Sequence, residues 1–188
     1  SRVSTSSFVR VIFEASPLIL WNMAKANTLN QLDAQKLIAL KPWADPYLWI
    51  WLEDMNLSPQ KELRRAILEA TDGRPGLLLQ LHSDFDGAKL HERVDTFKMQ
   101  LLSKDRANAV LGGLGVINDD AQKGLSVIKD LSGETVSVFE EFWSDMGPSC
   151  ITVPSFIRWA ELLSLVRPVG QDRWEVEPFV AKLLDCIS

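Results

Sequence analysis

Apolar residues recur at helical spacing along most of the chain. Leu48, Trp51, Leu52 and Met55 fall at i, i+3, i+4 and i+7, which is the spacing of a buried helix face. Comparable stripes are formed by Leu63, Ala66, Ile67 and Ala70, by Leu90, Val94, Phe97 and Leu101, by Ala121, Leu125 and Ile128, by Val136, Phe139 and Trp143, by Phe156, Trp159, Ala160 and Leu163, and by Phe179, Leu183 and Ile187. The pattern predicts a mainly α protein.

Helix starts and stops divide these stripes. Asp45-Pro46 and Ser58-Pro59 each place a capping side chain before a proline, which is typical of a helix N-terminus. Thr71-Asp72-Gly73-Arg74-Pro75 separates two helical segments. We expect Gly73 to take a left-handed cap conformation and Pro75 to begin the next helix. Glu177-Pro178 opens the last predicted helix.

Two short runs near the N-terminus are typical of strands. Phe8 to Phe13 is rich in β-branched and aromatic residues and stops before Ser16-Pro17, as a strand ending in a turn would. Lys36 to Leu40 is a second apolar run, and we expect the two to pair.

The glycine-rich stretch Gly112 to Gly115 interrupts helical periodicity and predicts a domain boundary. We therefore expect a helical bundle with a short strand pair over residues 1–115 and a second domain over residues 116–188. In the second domain three helices precede Val166 to Val169 and Arg173 to Val176, which predict a β-hairpin around Gly170-Gln171-Asp172. Three helices followed by a hairpin is the order of a winged helix.

The charge distribution bears on the partner. After Asn118 the chain has six Lys/Arg and twelve Asp/Glu, a net of −6, while the whole chain has −5. Arg158, Arg167 and Arg173 are the candidate contacts on the predicted wing and the helix before it, and four carboxylates lie among them between Ser155 and Glu177. Because DNA binding depends on neutralising phosphates, this distribution disfavours DNA and favours a protein partner.

No arrangement of residues predicts catalysis or a metal site. The sequence has no Gly-x-x-x-x-Gly-Lys-Ser/Thr loop and no Gly-x-Ser-x-Gly elbow. His82 and His91 lack ligand partners at helical spacing. Cys150 and Cys186 make no redox or metal spacing, so we expect reduced, packed thiols. No run approaches the roughly 20 apolar residues of a membrane span, and we expect a cytoplasmic, non-enzymatic chain without bound cofactor.

Seven tryptophans include a cluster at Trp43, Trp49 and Trp51. Trp51 lies on the buried stripe, whereas Trp49 falls off it, so Trp43 and Trp49 are candidates for a partner surface. The alternative is that they pack inside the protein, because aromatic side chains dominate cores.

The element order resembles the C-terminal part of a STAND or origin-recognition-like AAA+ ATPase. The residues that carry this resemblance are Leu40-Lys41-Pro42-Trp43 before a helix, the Gly-x-Pro phrase Gly73-Arg74-Pro75, and the winged-helix order. The resemblance implies a helical lid in which Pro75 lies against a nucleotide base and Arg74 reaches its phosphates. The Walker A loop and the acidic metal-binding strand of that family are absent here. The resemblance therefore implies either a fragment of a longer ATPase that binds ATP or ADP, or a degenerate relative.

Three functions remain open at this point. The preferred hypothesis is a regulatory, non-catalytic fragment in which the lid and the winged helix couple nucleotide state to a protein partner. The first alternative is a DNA-binding winged helix that uses Arg158, Arg167 and Arg173. The second is a helical protein-interaction scaffold, which a closed bundle without a groove at Pro75 would favour.

Overall fold

The computed structural model describes residues 15–29, 42, 44–54, 61–83 and 90–188. Within these ranges the chain is mainly helical with a small antiparallel sheet, as predicted. The elements are α1 (Pro17–Lys25), α2 (Asp45–Asp54), α3 (Lys61–Thr71), α4 (Pro75–Ser83), α5 (Leu90–Leu101), α6 (Lys104–Gly113), α7 (Asp119–Asp130), α8 (Val136–Met146), α9 (Val153–Leu162), β1 (Val166–Gly170), β2 (Arg173–Val176) and α10 (Pro178–Ile187). The predicted strand pair, Trp43, Met55 and Ser58-Pro59 lie outside the described residues.

Ser16-Pro17, which we predicted to end a strand in a turn, instead begins α1. Ser16 is the N-cap, its Oγ accepts a hydrogen bond of 3.4 Å from the Ile19 amide, and Pro17 is the first helical residue. A capping serine before proline is the same start signal as Asp45-Pro46. Leu20, Trp21 and Ala24 form the buried face of this helix.

Gly112 and Gly113 do not break α6, which continues to Gly113. A β-carbon built at either glycine would meet no atom within 4 Å, so the helix passes through them without conflict. The chain turns at Gly115, whose φ of 99° is left-handed. Side chains of Pro17 and Leu163 pack against Gly115 in space, and their nearest atoms would lie 3.0 and 2.8 Å from an added β-carbon.

Three of the described helices end in the same backbone motif. After α1, α6 and α9 a left-handed residue follows, namely Asn27, Gly115 or Ser164. The next amide then donates back to the last full turn of the helix, with N···O distances of 2.8 to 2.9 Å. This is the Schellman arrangement, which satisfies carbonyls that a helix end leaves without partners.

The centre of the core is aromatic. Trp21 of α1 lies 4.8 Å from Trp159 and 6.1 Å from Phe156, both of α9, between ring centroids. Trp143 of α8 lies 5.1 Å from Phe156, and its Nε1 donates to the Ile151 carbonyl at 2.9 Å. These rings join α1, α8 and α9.

The hairpin agrees with the predicted runs. Val166 pairs with Val176, Arg167 with Glu175 and Pro168 with Trp174. The segment before α8 adds a short pairing to β2: the Gly133 amide donates to the Trp174 carbonyl at 2.9 Å, and the Trp174 amide donates to the Glu134 carbonyl at 3.2 Å. Pro168 is on the other strand, where its missing amide is tolerated.

Helices from both sides of Gly115 pack together: α10 contacts α6, and α1 contacts α9. The division into domains 1–115 and 116–188 stays a prediction. None of the helices that the structure describes has the length and apolar character needed to cross a bilayer.

Candidate functional site

The corner between α3 and α4 has the geometry predicted for Gly73 and Pro75. Asp72 and Gly73 have left-handed φ values of 51° and 62°. The Arg74 amide donates to the Thr71 carbonyl at 2.9 Å, and the Arg74 carbonyl accepts from the first amides of α4. Pro75 then begins α4. The backbone turns sharply here because glycine and aspartate tolerate the left-handed region.

Arg74 is buried beneath this corner, with 9% of its surface exposed. Its Nε donates to Asp72 Oδ2 at 3.2 Å, and its Nη2 donates to the Ser164 carbonyl at 2.8 Å. Ninety positions separate Arg74 from Ser164 in sequence. The guanidinium thus joins the α3–α4 corner to the chain that leads from α9 into β1.

Ser164 caps the C-terminal end of α9. Its φ is 52°, its amide donates to the Glu161 carbonyl at 3.0 Å, and the following Leu165 amide donates to the Ala160 carbonyl at 2.8 Å. The C-terminal end of a helix carries partial negative charge, so a cation there is favourable. Arg74 supplies that cation from a distant part of the sequence.

A charged cluster surrounds this contact. Arg167 of β1 donates from Nε to Glu175 Oε1 at 2.6 Å and lies 3.8 Å from Glu177. Burial raises the pKa of Asp72, although Arg74 lies beside it. Burial also raises the pKa of Glu177 and lowers the pKa of Arg74. In this cluster the attraction between opposite charges offsets part of the free-energy cost of burying them.

A pocket of about 210 Å³ opens beside the corner, between α4 and α6. It is lined by Arg74, Gly76, Leu77, Gln80, Arg106, Ala109, Val110, Gly113 and Leu114. Among the lining residues that the structure describes, two are arginines and none is a carboxylate. We call it the α4–α6 pocket.

Arg106 reaches across this pocket, where its Nη2 donates to Gln80 Oε1 at 2.5 Å. Gly76 and Gly113 leave the walls open, since an added β-carbon at either would meet nothing within 4 Å. The N-terminal turn of α4 lies at the same place and contributes positive partial charge. Arg106, this turn and an apolar wall suit a small anionic ligand with an apolar part, whereas the guanidinium of Arg74 is already held by Asp72 and the Ser164 carbonyl.

The other predicted contact residues have partners within the chain. Arg158 donates to Glu161 Oε2 at 2.9 Å, and Arg173 donates from Nη1 to the Gly133 carbonyl at 2.9 Å. Trp49 is half-buried, and the guanidinium carbon of Arg64 lies 4.2 Å from its ring centroid. This contact joins α2 to α3 and is attractive as a cation–π interaction. Trp43 lies outside the described residues.

The sequence singles out Gly73, Arg74 and Pro75, whose nucleotide contact stays a prediction, and gives no signal for Arg106, Gln80 and Ser164. Arg106 and Gln80 are 26 positions apart, and no local spacing marks them as a pair. Ser164 occupies a left-handed position that usually selects glycine. In the apolar sequence Leu162 to Leu165, serine gives no such signal.

Among the described residues no group of three or more His, Cys, Asp or Glu side chains is placed to hold a metal ion. Cys150 and Cys186 are free thiols. No protein-family model, curated protein or solved structure matches this chain.

Proposed function

We propose that this chain is a non-catalytic regulatory unit of a STAND-like AAA+ ATPase. In this proposal α2 to α6 belong to a helical lid, and α7 to α10 with the hairpin form a winged helix that contacts a protein partner. The observation that carries the proposal is Arg74, which lines the α4–α6 pocket and whose guanidinium donates to Asp72 and to the Ser164 carbonyl. A ligand that attracts Arg74 would act directly on the end of α9.

The arrangement after Gly115 supports the winged-helix part of the proposal. Three helices precede the hairpin, and residues between α7 and α8 pair with β2 through Thr135 and Arg173. This adds a single bridge to β2 beside the hairpin turn, where Arg173 also pairs with Gly170. The hairpin also packs on the helices before it, with β1 against α9 and β2 against α7.

The pocket supports a lid over a plain interaction scaffold. Two arginines lie among the described residues that line a pocket next to Pro75, and a plain scaffold does not need such an arrangement. The catalytic parts, a Walker A loop and a metal-binding carboxylate, would come from another part of a longer ATPase in this proposal.

DNA reading has weaker support. All three candidate arginines donate to partners within the chain, and Arg167 lies between Glu175 and Glu177. A phosphate would have to compete with those carboxylates for Arg167 while being repelled by them. A protein partner faces no such uniform repulsion.

The pocket can be tested with tripolyphosphate as a probe at low ionic strength. NMR titration should shift the amide signals of Gly76 and Gly113 saturably. Arg106→Gln should weaken the binding by roughly tenfold to a hundredfold, because a charge-assisted hydrogen bond contributes about 1.5–3 kcal/mol. Lys104→Gln removes an equal charge from an exposed position outside the pocket lining and should change the affinity less than twofold. Equal weakening by both variants would contradict a defined pocket.

The sequence of the native gene tests the proposed relationship to AAA+ ATPases. We expect a Walker A segment upstream of the codon for Ser1. A gene that encodes no such segment would contradict the lid proposal while leaving the pocket titration interpretable.

A further inference from the structure

Among the residues that the structure describes, α8 packs mainly against α7 and α9, and part of its surface stays exposed. Phe139 and Trp143 point into the core, with 0% and 8% of their surface exposed. Phe142 and Met146 are 42% and 39% exposed. They are one helical turn apart, and partly buried Val138 precedes Phe142 by one further turn. Val138, Phe142 and Met146 therefore form a continuous apolar ridge.

The ridge is bordered by negative charge. Glu140, Glu141 and Asp145 are exposed on α8, and the helix contains no Lys or Arg. None of these three carboxylates forms an ion pair with any described residue. An apolar ridge next to unpaired carboxylates is complementary to a segment that is apolar on one side and basic on the other.

We infer that this face of α8 docks a basic amphipathic helix of a partner protein. The inference rests on the proposed function, in which the unit after Gly115 contacts a protein, and it names the chemistry of that partner. A ridge at i, i+4 and i+8 rises about 6 Å per step and fits the groove of a packed helix. Apolar anchors at helical spacing are the usual way in which an amphipathic helix binds.

Charge favours a basic helix over a second copy of the chain or a nucleic acid at this face of α8. A second copy of the chain would bring the same carboxylates against each other, and the chain after Asn118 carries a net charge of −6. Nucleic acid would be repelled by Glu140, Glu141 and Asp145. A basic helix instead gains both apolar burial and charge attraction.

The probe is an 18-residue amphipathic peptide of Leu and Lys, compared with a Leu and Glu peptide of the same apolar pattern. Fluorescence anisotropy should detect binding of the Leu/Lys peptide and none of the Leu/Glu peptide. The double variant Phe142→Ser with Met146→Ser should weaken binding about tenfold or more, as expected for loss of central anchors. Both side chains are partly exposed, and thermal melts of the variant establish that it is folded.

The matched control is Met99→Ser with Leu102→Ser, which removes two apolar side chains that are more exposed, at 67% and 60%, on and after α5. It should leave the affinity within twofold. Equal loss in the two double variants, or an absence of Leu/Lys peptide binding to the wild type, would overturn the inference.

A charge reversal provides a test that leaves the apolar ridge intact. Glu141→Lys with Asp145→Lys should weaken the Leu/Lys peptide and allow the Leu/Glu peptide to bind. Unchanged peptide preference would overturn the inference. Sedimentation that shows wild-type dimers abolished by the Phe142 and Met146 substitutions would also overturn it, in favour of a second copy. The tripolyphosphate titration is independent of α8, so failure here is distinct from failure of the pocket.

Discussion

The ring of Phe156 lies directly against Gly124. A β-carbon added to Gly124 would be 2.4 Å from Phe156 Cε2 and 2.5 Å from its Cζ. Gly124 is in the middle of α7, where glycine normally destabilises a helix relative to alanine. The close approach of α9 explains its presence, because no larger residue fits between the helix backbone and the ring.

Gly124→Ala should therefore destabilise the protein by about 1–3 kcal/mol, the usual effect of overpacking a core. Phe156 is fully buried and in contact with Trp21, Trp143 and Trp159, so its ring has little room to move. Denaturant unfolding measures the change. In a Phe156→Leu background the same substitution should be much less harmful, because the clashing ring atoms are gone.

Gly112→Ala is the matched control, since Gly112 is also helical but has open space where a β-carbon would lie. Here alanine should stabilise by about 0.5–1 kcal/mol through helix propensity alone. Destabilisation at both sites would show that the Phe156 contact is not the reason for the effect at Gly124.

The two glycines also show what sequence can and cannot predict. Periodicity predicts the buried faces of α7, α8 and α9 well, because Leu125, Phe139 and Phe156 each belong to an apolar stripe and are fully buried. It cannot separate Gly124 from Gly112, since the difference lies in a neighbouring helix. For the same reason Gly112-Gly113 was predicted to break a helix that in fact continues through both residues.

The candidate site likewise has a part that the sequence predicts and a part that it does not. Turn chemistry is local, so Gly73 and Pro75 are predictable from the order of residues around them. The partner of Arg74 is a carbonyl ninety positions away, and Arg106 reaches the pocket from another helix. Contacts of that kind depend on how α4, α6 and α9 pack, which no short motif records.

Ser164 should tolerate glycine and resist a β-branched residue. Its left-handed φ of 52° is strained for residues with a β-carbon. Ser164→Gly keeps the carbonyl that accepts from Arg74 and should change stability by no more than about 1 kcal/mol, in the stabilising direction. Ser164→Val should destabilise by about 1–3 kcal/mol, because positive φ is strained for a β-branched residue beyond what serine tolerates. Thermal and denaturant unfolding compare the two variants. A Ser164→Val variant more stable than Ser164→Gly would contradict backbone strain at this position.

Arg74→Met should be among the more damaging single substitutions at this corner. It keeps much of the apolar stem but removes the donors to Asp72 and to the Ser164 carbonyl, leaving a partly buried carboxylate without its cation. We expect a loss of about 2–4 kcal/mol in the free energy of unfolding.

Arg65→Met is the control for that loss. Arg65 pairs with Glu69 at 3.0 Å on the surface of α3, where its side chain is 83% exposed. Exposed pairs of this kind contribute little, so the change should stay within about 0.5 kcal/mol. Similar losses in the two variants would contradict a special role for the buried contact to Ser164.

Glu177→Gln should become more favourable, relative to the wild type, as pH rises. Burial raises the pKa of Glu177 above its ordinary value of 4.5, so ionisation is harder in the folded state than in the unfolded state. Well below pH 4.5 both states are protonated and the carboxyl group has no pH-dependent effect. As pH rises from there through the raised folded pKa, the wild type loses stability that the uncharged glutamine does not lose.

For Glu69→Gln, the stability relative to the wild type should change with pH in the opposite direction. The hydrogen bond from Lys98, together with that from Arg65, lowers the pKa of Glu69 below 4.5, so its charged form stabilises the folded state at higher pH. That contribution is lost as pH falls through the lowered folded pKa. The free energy of unfolding of the wild type and of both variants can be measured from about pH 3.5 to about pH 7.5, a range that includes the ordinary pKa of glutamate. The difference between each variant and the wild type should change with pH in opposite directions for the two variants. Parallel curves for the two variants would contradict burial as the cause of the shift at Glu177, because both substitutions remove one carboxylate and differ only in its surroundings.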